Sequence, residues 1–153
     1  MFLTIHTAPP SEMRYVTVGD WEYNFLDPYI ANELRINVTV VSTGNNKYNF
    51  LLGVHELVEA FVYGIQEGFT EEAQHRVDDF DINWTSDNMY DEPGDDPTAP
   101  YHFAHRFATV VEHMLAFVLG VDWNAYDDKL GEMILQMTNA RKQNTTDSTL
   151  PGD

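Results

Sequence analysis

The feature that most restricts the fold of this chain is a change of hydrophobic period near residue 45. Before it, over residues 34–41, apolar residues alternate with polar ones as in a strand with one buried face: Leu34, Ile36, Val38 and Val40. After the turn residues Gly44-Asn45-Asn46, apolar residues recur with a helical period and cover one broad side: Leu51, Val54, Val58, Phe61 and Val62. This helix is predicted from Tyr48 to about Tyr63, with Gly64 as its stop.

Further elements follow from the same two patterns. Short strands are predicted at residues 2–6 and 21–25, and helices from Thr70 to about Asp81, from Tyr101 to Leu119 and from Asp122 to about Ala140. Gly120 is well placed to cap the helix that ends at Leu119. The predicted fold class is α+β, with a small, mostly antiparallel N-terminal sheet followed by about four helices. Residues 1–140 are expected to form a single globular domain, and residues 141–153 a disordered tail.

The charge of the chain is strongly acidic, with 25 Asp and Glu against 8 Lys and Arg and a net charge of −17. Such a surface repels nucleic-acid phosphates and anionic lipid, so direct binding to either is not expected. It suits a basic protein partner or a cation, or it serves solubility alone.

The absence of cysteine restricts any metal site to carboxylate oxygen and imidazole ligands. The first residues lack the basic and apolar regions of a signal peptide. No apolar run approaches the ~18 residues that a bilayer crossing needs. A cytoplasmic protein is therefore expected.

One motif on the first predicted helix carries chemistry: His55-Glu56-Leu57-Val58-Glu59. His55 and Glu59 are four residues apart, so they lie one helical turn apart and can share one ion. Glu56 occupies the position that the H-E-x-x-H helix of metallopeptidases gives to the general base. A carboxylate is an accepted ligand for zinc and also suits manganese or iron. The alternative is a half-exposed His55 that pairs with Glu59 without a metal.

The helix predicted from Tyr101 to Leu119 adds a second pair. Its polar residues fall within one stripe about 120° wide: His102, His105, Arg106, Thr109, Glu112 and His113. His105 and Glu112 lie within about 20° of each other, so two helices each present a His and a Glu, as in four-ligand sites between helices. The outer members of the stripe are assigned to solvent: His102, Arg106 and His113. The alternative is a solvated face that is rich in histidine.

Other polar and aromatic residues are weaker candidates. An acidic cluster fits an exposed helix end better than a site: Asp78, Asp79 and Asp81. Asp95 and Asp96 lie in a long, turn-rich loop over residues 82–100, where they could reach an ion but fit a turn role better. Three aromatic segments are expected to pack in the core: Trp84, Tyr101 and Val121-Asp122-Trp123.

The strand at residues 34–41, the short turn and the helix with His55-Glu56-x-x-Glu59 together resemble the opening of a minimal zincin-like metallopeptidase. The resemblance implies a zincin-like core, a zinc ion and hydrolysis. The chain departs from that pattern at Glu59, where those enzymes carry a histidine.

Four segments, taken as a set, resemble a family of small, uncharacterised phage and prophage proteins. They are Tyr15-Val16-Thr17-Val18-Gly19-Asp20-Trp21, Val54-His55-Glu56-Leu57-Val58-Glu59-Ala60, Glu92-Pro93-Gly94-Asp95-Asp96-Pro97 and Leu119-Gly120-Val121-Asp122-Trp123. This resemblance implies a viral or prophage origin, and hence the host cytoplasm, and it brings no established activity.

The predicted function is divalent-metal binding with possible hydrolysis. His55, Glu59 and either His105 or Glu112 would hold an ion, expected to be zinc, and Glu56 would take a proton from bound water. The competing interpretation is a non-enzymatic acidic viral accessory protein that binds a basic host or phage protein, with a structural metal or none.

Overall fold

Three strands and four helices form in the computed structural model, which describes residues 1–25, 34–85 and 91–147. The strands are β1 (Phe2–Ala8), β2 (Gly19–Phe25) and β3 (Leu34–Val41). The helices are α1 (Asn46–Glu67), α2 (Glu71–Asn83), α3 (His102–Leu119) and α4 (Trp123–Asp147). Two short 3-10 turns, Pro10–Glu12 and Pro93–Asp95, lie between elements. The predicted α+β class is confirmed.

The sheet is mixed, with β3 in the middle and the strand order β1-β3-β2. β1 pairs with β3 in parallel and β2 pairs with it antiparallel, so Val38 lies between Ile5 on one side and Trp21 on the other. One of the two pairs is therefore parallel in a sheet predicted to be mostly antiparallel. β1 and β2 are the two edge strands, and β3, which follows both in the sequence, lies between them. β1 is therefore not joined to its neighbour by a hairpin, so it can pair in parallel.

The alternation in β3 decides which face of the sheet is covered. Ile36, Val38 and Val40 are fully buried, and Trp21 and Tyr23 of β2 are buried beside them. α1 packs against β2 and β3 and separates the sheet from α3. The core is completed by residues of α4: Tyr126, Leu130, Met133, Ile134 and Met137.

The first helix is longer than predicted, because Gly64 does not end it. Gly64 is buried within α1, where a Cβ would collide with the ring of Phe69. Its small size therefore serves close packing. The helix ends at Gly68 instead, which has a φ of 86° that few other residues adopt.

The buried side of α1 is also not the predicted apolar side. It carries apolar and polar residues together, including His55, Glu56 and Glu59. Phe61, predicted to face inward, is 41% exposed. The prediction was wrong because hydrophobic periodicity assigns charged residues to solvent, whereas here they are buried with partners.

The start of α2 and the end of α3 agree with the predicted caps. Thr70 caps α2 by accepting the Ala73 N–H, and Gly120 ends α3 in the left-handed region with a φ of 63°. α4 continues to Asp147, beyond its predicted end near Ala140, and residues 148–153 lie outside the described residues. Within the described ranges, none of the helices combines the length and the apolar character that a bilayer crossing requires.

α1 and α3 lie antiparallel against each other. At one end, the Lys47 ammonium donates to the carbonyl of Leu119 at 2.7 Å, where it also complements the negative end of the α3 dipole. Further along the pair, His55 contacts Glu112, and Glu59 contacts His105. The register between the two helices thus brings both His–Glu pairs to one place.

Candidate metal centre

Three side chains from α1 and α3 direct one ligand atom each to a common point. The Nε2 atom of His55 lies 3.2 Å from the Nδ1 atom of His105 and 3.5 Å from the Oε2 atom of Glu59. The same Glu59 oxygen lies 2.8 Å from the His105 Nδ1 atom. All three residues are buried, and among the described residues they are the one group of this kind with metal-ligand geometry. The His55–Glu59–His105 group could therefore hold a metal ion.

The spacing of these atoms can be compared with that of a real coordination shell. A tetrahedral site with bonds of about 2.0–2.1 Å has ligand atoms about 3.3–3.4 Å apart. The two distances from His55 Nε2 lie within about 0.2 Å of that edge length, and the third is shorter. Small side-chain adjustments would therefore be enough to bring the three atoms into coordination.

The second nitrogen of His55 is held by a carboxylate. The Nδ1–H of His55 donates to Oε2 of Glu112 at 2.9 Å, and the hydroxyl of Tyr126 donates a short hydrogen bond to the other oxygen of Glu112. With its proton fixed on Nδ1, the ring presents an unprotonated Nε2 to an ion. Glu112 thus orients a proposed ligand, and it lies outside the three-ligand group.

The other two ligands have comparable partners. The indole N–H of Trp21 donates to Oε1 of Glu59 at 2.7 Å, which leaves Oε2 for an ion. The Nε2 atom of His105 faces Oδ1 of Asp95 at 3.6 Å and Oε2 of Glu92 at 3.9 Å. Such supporting contacts around a metal site fix ligand orientation.

The electrostatics of the group favour protons where an ion would bind. Burial raises the pKa of Glu59, but hydrogen bonds from His105 and His55 outweigh burial and hold the pKa at about 2. Burial lowers the pKa of His105, but the contacts with Asp95 and Glu59 raise it to about 10. Burial likewise opposes the protonation of His55, yet Glu112 and Glu59 raise its pKa well above the usual value. Without a metal, the neighbouring carboxylates therefore favour the protonated form of these histidines, and each ring opposes the protonation of the other.

Glu56 lies beside the group without joining it. Its side chain is buried against Gly19 at the start of β2, where a Cβ would collide with the carboxylate and force it to move. Burial and the charge of Glu59 raise the pKa of Glu56 well above its usual value. Within the described part of the chain its carboxyl makes no hydrogen bond, and the positive charge of a bound ion would lower this pKa and let the carboxylate accept a proton.

A cavity of about 670 Å³ opens on one side of the group. Its lining includes Glu56, Glu59 and His105, together with the aromatic side chains of Trp21 and Tyr101. A site that faces a cavity leaves a coordination position for water or substrate, as catalytic metal sites do.

The turn at Pro93–Asp95 holds His105 in place. A Cβ on Gly94 would collide with the His105 ring, and the Gly94 carbonyl contacts Nδ1 of His102 at 2.9 Å. His102 is therefore half-buried at this turn, whereas the sequence assigned it to solvent. Arg106 and His113 are exposed, as predicted, and His113 stacks on Trp123.

The weaker candidates do not form a second group. Asp81 accepts a hydrogen bond from the Tyr101 hydroxyl at 2.6 Å, and Asp78 accepts one from Gln74 at 3.0 Å. Asp79 is exposed. Asp96 caps the loop by accepting from the Thr98 N–H at 2.8 Å, which is the predicted turn role. Among the aromatic segments, Tyr101 is buried, whereas Trp84 and Trp123 are half-buried.

Sequence reasoning missed the residues that support the ligands. Trp21 was assigned only to a strand, Tyr126 had no signal, and Asp95 was assigned to a turn although it also faces His105. These contacts join elements that are distant in sequence, so no local spacing reveals them.

Comparison of the chain with protein-family models, curated proteins and solved structures yields no match.

Proposed function

We propose that this protein is a metal-dependent hydrolase with a single zinc ion held by His55, Glu59 and His105. The observation that carries the proposal is the convergence of three buried ligand atoms, 2.8–3.5 Å apart, beside the unpartnered carboxylate of Glu56 and next to a cavity. Zinc suits two imidazoles and one carboxylate in a tetrahedral arrangement.

The chemistry assigned to the site is activation of water. A zinc ion supplies a bound water with a pKa near 7 and polarises a carbonyl group. Glu56 follows His55 directly and lines the cavity, so it is placed to accept a proton from that water. Trp21 and Glu112 keep Glu59 and His55 oriented while the proton moves.

A second, non-enzymatic function is supported by the net charge of −17. In that function the acidic surface binds a basic protein of the host or phage, and the metal only stabilises the fold. The cavity beside the three ligands favours the enzyme, because a structural zinc site is closed by a fourth protein ligand. In both cases the resemblance to phage proteins supports action in the cytoplasm of a host cell.

Metal binding is tested by elemental analysis and zinc titration of protein purified without an affinity tag or chelator. We expect about one zinc per chain. The His55→Ala and Glu59→Ala variants should bind zinc at least about 100-fold more weakly, while the His113→Ala variant, on the exposed side of α3, should bind like the wild type. A metal-free wild type whose stability does not respond to zinc, manganese or iron would contradict the proposal.

Hydrolysis is tested with zinc-loaded protein on a panel of peptide, amide and ester substrates. We expect turnover that disappears when a chelator removes the zinc and returns when zinc is restored. A protein that binds zinc tightly but hydrolyses none of these substrates would favour the non-enzymatic function.

A further inference from the structure

The outer side of α3 exposes a continuous stripe of large apolar side chains. The stripe consists of Phe103, Phe107, Val110, Met114, Phe117 and Val118, which are between 48% and 87% exposed. At 100° per residue these six positions fall within about 100° of arc, and His105 and Glu112 point the opposite way. α3 is therefore polar toward the protein interior and apolar toward solvent.

The spacing along this stripe is that of a helix–helix seam. The first five positions are separated by four, three, four and three residues, which is the alternation by which two helices interdigitate. From Phe103 to Val118 the stripe is about 22 Å long. It includes three phenylalanines, each able to bury roughly 150–250 Å², so its exposed area is on the order of 600 Å². That is at the upper limit for a monomer and close to the ~800 Å² that each partner gives to a stable interface.

The charge around the stripe identifies the partner. The single acidic residue of α3 is Glu112, which is buried, and the exposed charged or titratable residues of this helix beside the stripe are Arg106 and His113. Arg106 faces the exposed carboxylate of Asp95, in the turn before α3, at 3.6 Å. On α1, which packs beside α3, Glu56 and Glu59 are also buried, and the exposed Glu67 at its end pairs with Arg76 at 3.0 Å. α3 itself therefore offers no exposed carboxylate to a basic protein. Two copies of a chain with a net charge of −17 repel each other, and an acid-free face is where they can meet.

We infer that a second copy of this chain covers the stripe, with α3 packed on α3 across a twofold axis. A stripe that repeats at regular helical spacing is complementary to itself, as an interface between identical surfaces requires. The inference does not depend on whether the metal centre is catalytic. In the dimer, each α3 would carry the proposed ligand His105 on its inner side and the interface on its outer side.

The test is the mass in solution, measured by sedimentation velocity and light scattering on the full, zinc-supplemented chain. The wild type should have twice the 17.6 kDa mass of one chain. Val110→Glu places an unpaired charge in the middle of the seam and should weaken dimerisation by about 100-fold. Phe117→Ser is a second variant, because Phe117 is 87% exposed in one chain and its loss should leave the fold intact.

The matched control is Leu3→Glu. It adds the same charge at a residue of β1 that is 52% exposed, on the sheet and therefore on the other side of α1 from α3. This variant should remain dimeric, and circular dichroism should show all variants folded. A wild type that is monomeric at about 100 µM overturns the inference. The stripe would then be a contact surface for lipid or for a different protein. Variants at positions 110 and 117 that both remain dimeric overturn it as well, because the interface would then lie elsewhere.

Discussion

Each proposed ligand keeps a polar partner on the side away from the ion. Glu112 supports His55, Trp21 supports Glu59, and Asp95 faces His105. Buried charged groups are costly unless they are paired, and these pairs allow a His–Glu cluster to exist inside a chain of this size. Glu56 is the exception, with burial and the neighbouring Glu59 raising its pKa. A carboxyl that lines a cavity and whose pKa is shifted by burial and a like charge is a candidate for a functional residue.

Glu56→Gln separates catalysis from binding. The amide is nearly isosteric, and Glu56 is not among the three ligands, so the variant should keep its fold and bind zinc within about threefold of the wild type. Because it loses the proton acceptor, its hydrolytic rate should fall by about 10²–10⁴-fold. Zinc titration and steady-state kinetics on the same sample measure both effects. Loss of zinc from this variant would mean that Glu56 is itself a ligand, and an unchanged rate would remove its role as the base.

Glu112→Gln tests whether a second carboxylate orients His55. The variant keeps the size of the side chain but removes the charge that holds the Nδ1 proton of His55. We expect zinc affinity to fall by about 10-fold or more, while one zinc still binds per chain. Competition with a chromogenic chelator measures the affinity, and His113→Ala is the control on the next residue. Complete loss of zinc would instead identify Glu112 as a fourth ligand.

At the level of elements, the sequence predicted which helices carry the site but not how its residues divide their roles. The four-residue and seven-residue spacings bring each His–Glu pair to one side of its helix, and this part needs only helical geometry. Whether His105 or Glu112 reaches the ion depends on the register between α1 and α3, which local sequence does not encode. The register places His105 beside Glu59 and Glu112 beside His55.

The strands and most helix boundaries were predictable because alternation and caps are local signals. Thr70, Gly120 and β3 are examples. Gly64 was not, since its role is contact with Phe69, and a glycine required for packing looks the same in sequence as a glycine that ends a helix. The parallel pairing of β1 was also missed, because strand order depends on contacts between distant segments.

Gly94→Ala tests the turn that supports His105. The added methyl group must displace either the His105 ring or the turn itself, so zinc affinity should fall by about 10-fold. The matched control is Gly120→Ala at the end of α3. There the Cβ meets open space but the φ of 63° is strained, so stability should fall by about 1 kcal/mol with unchanged zinc affinity. Urea unfolding and zinc titration of both variants distinguish the two effects. Equal zinc affinities would show that the turn does not position His105.

For the whole molecule, the charge balance of the buried His–Glu cluster differs from that of the acidic surface. The surface is rich in carboxylates, while in the interior the carboxylates Glu59 and Glu112 raise the pKa of the histidines that they contact. A divalent cation can replace the protons of these histidines without leaving a buried charge uncompensated. Folding, protonation and metal binding are therefore linked in this protein.

Zinc binding is expected to release protons from the buried histidines. In the metal-free fold, the contacts with Asp95 and Glu59 raise the pKa of His105 to about 10 although burial lowers it, against about 6.5 in an unfolded chain. This raised pKa stabilises the metal-free fold fully below about pH 6.5, and the contribution is lost as pH rises through about 10. A zinc ion must displace the proton on His105 Nδ1, while Nε2 keeps its proton toward Asp95 and Glu92. Between pH 6.5 and 8, zinc affinity should therefore rise by about tenfold per pH unit for each proton released.

Calorimetric titration with zinc in two buffers of different protonation enthalpy counts the protons, and at least about one per zinc is expected. An affinity that is constant across this range would mean that both imidazoles are already neutral in the metal-free protein.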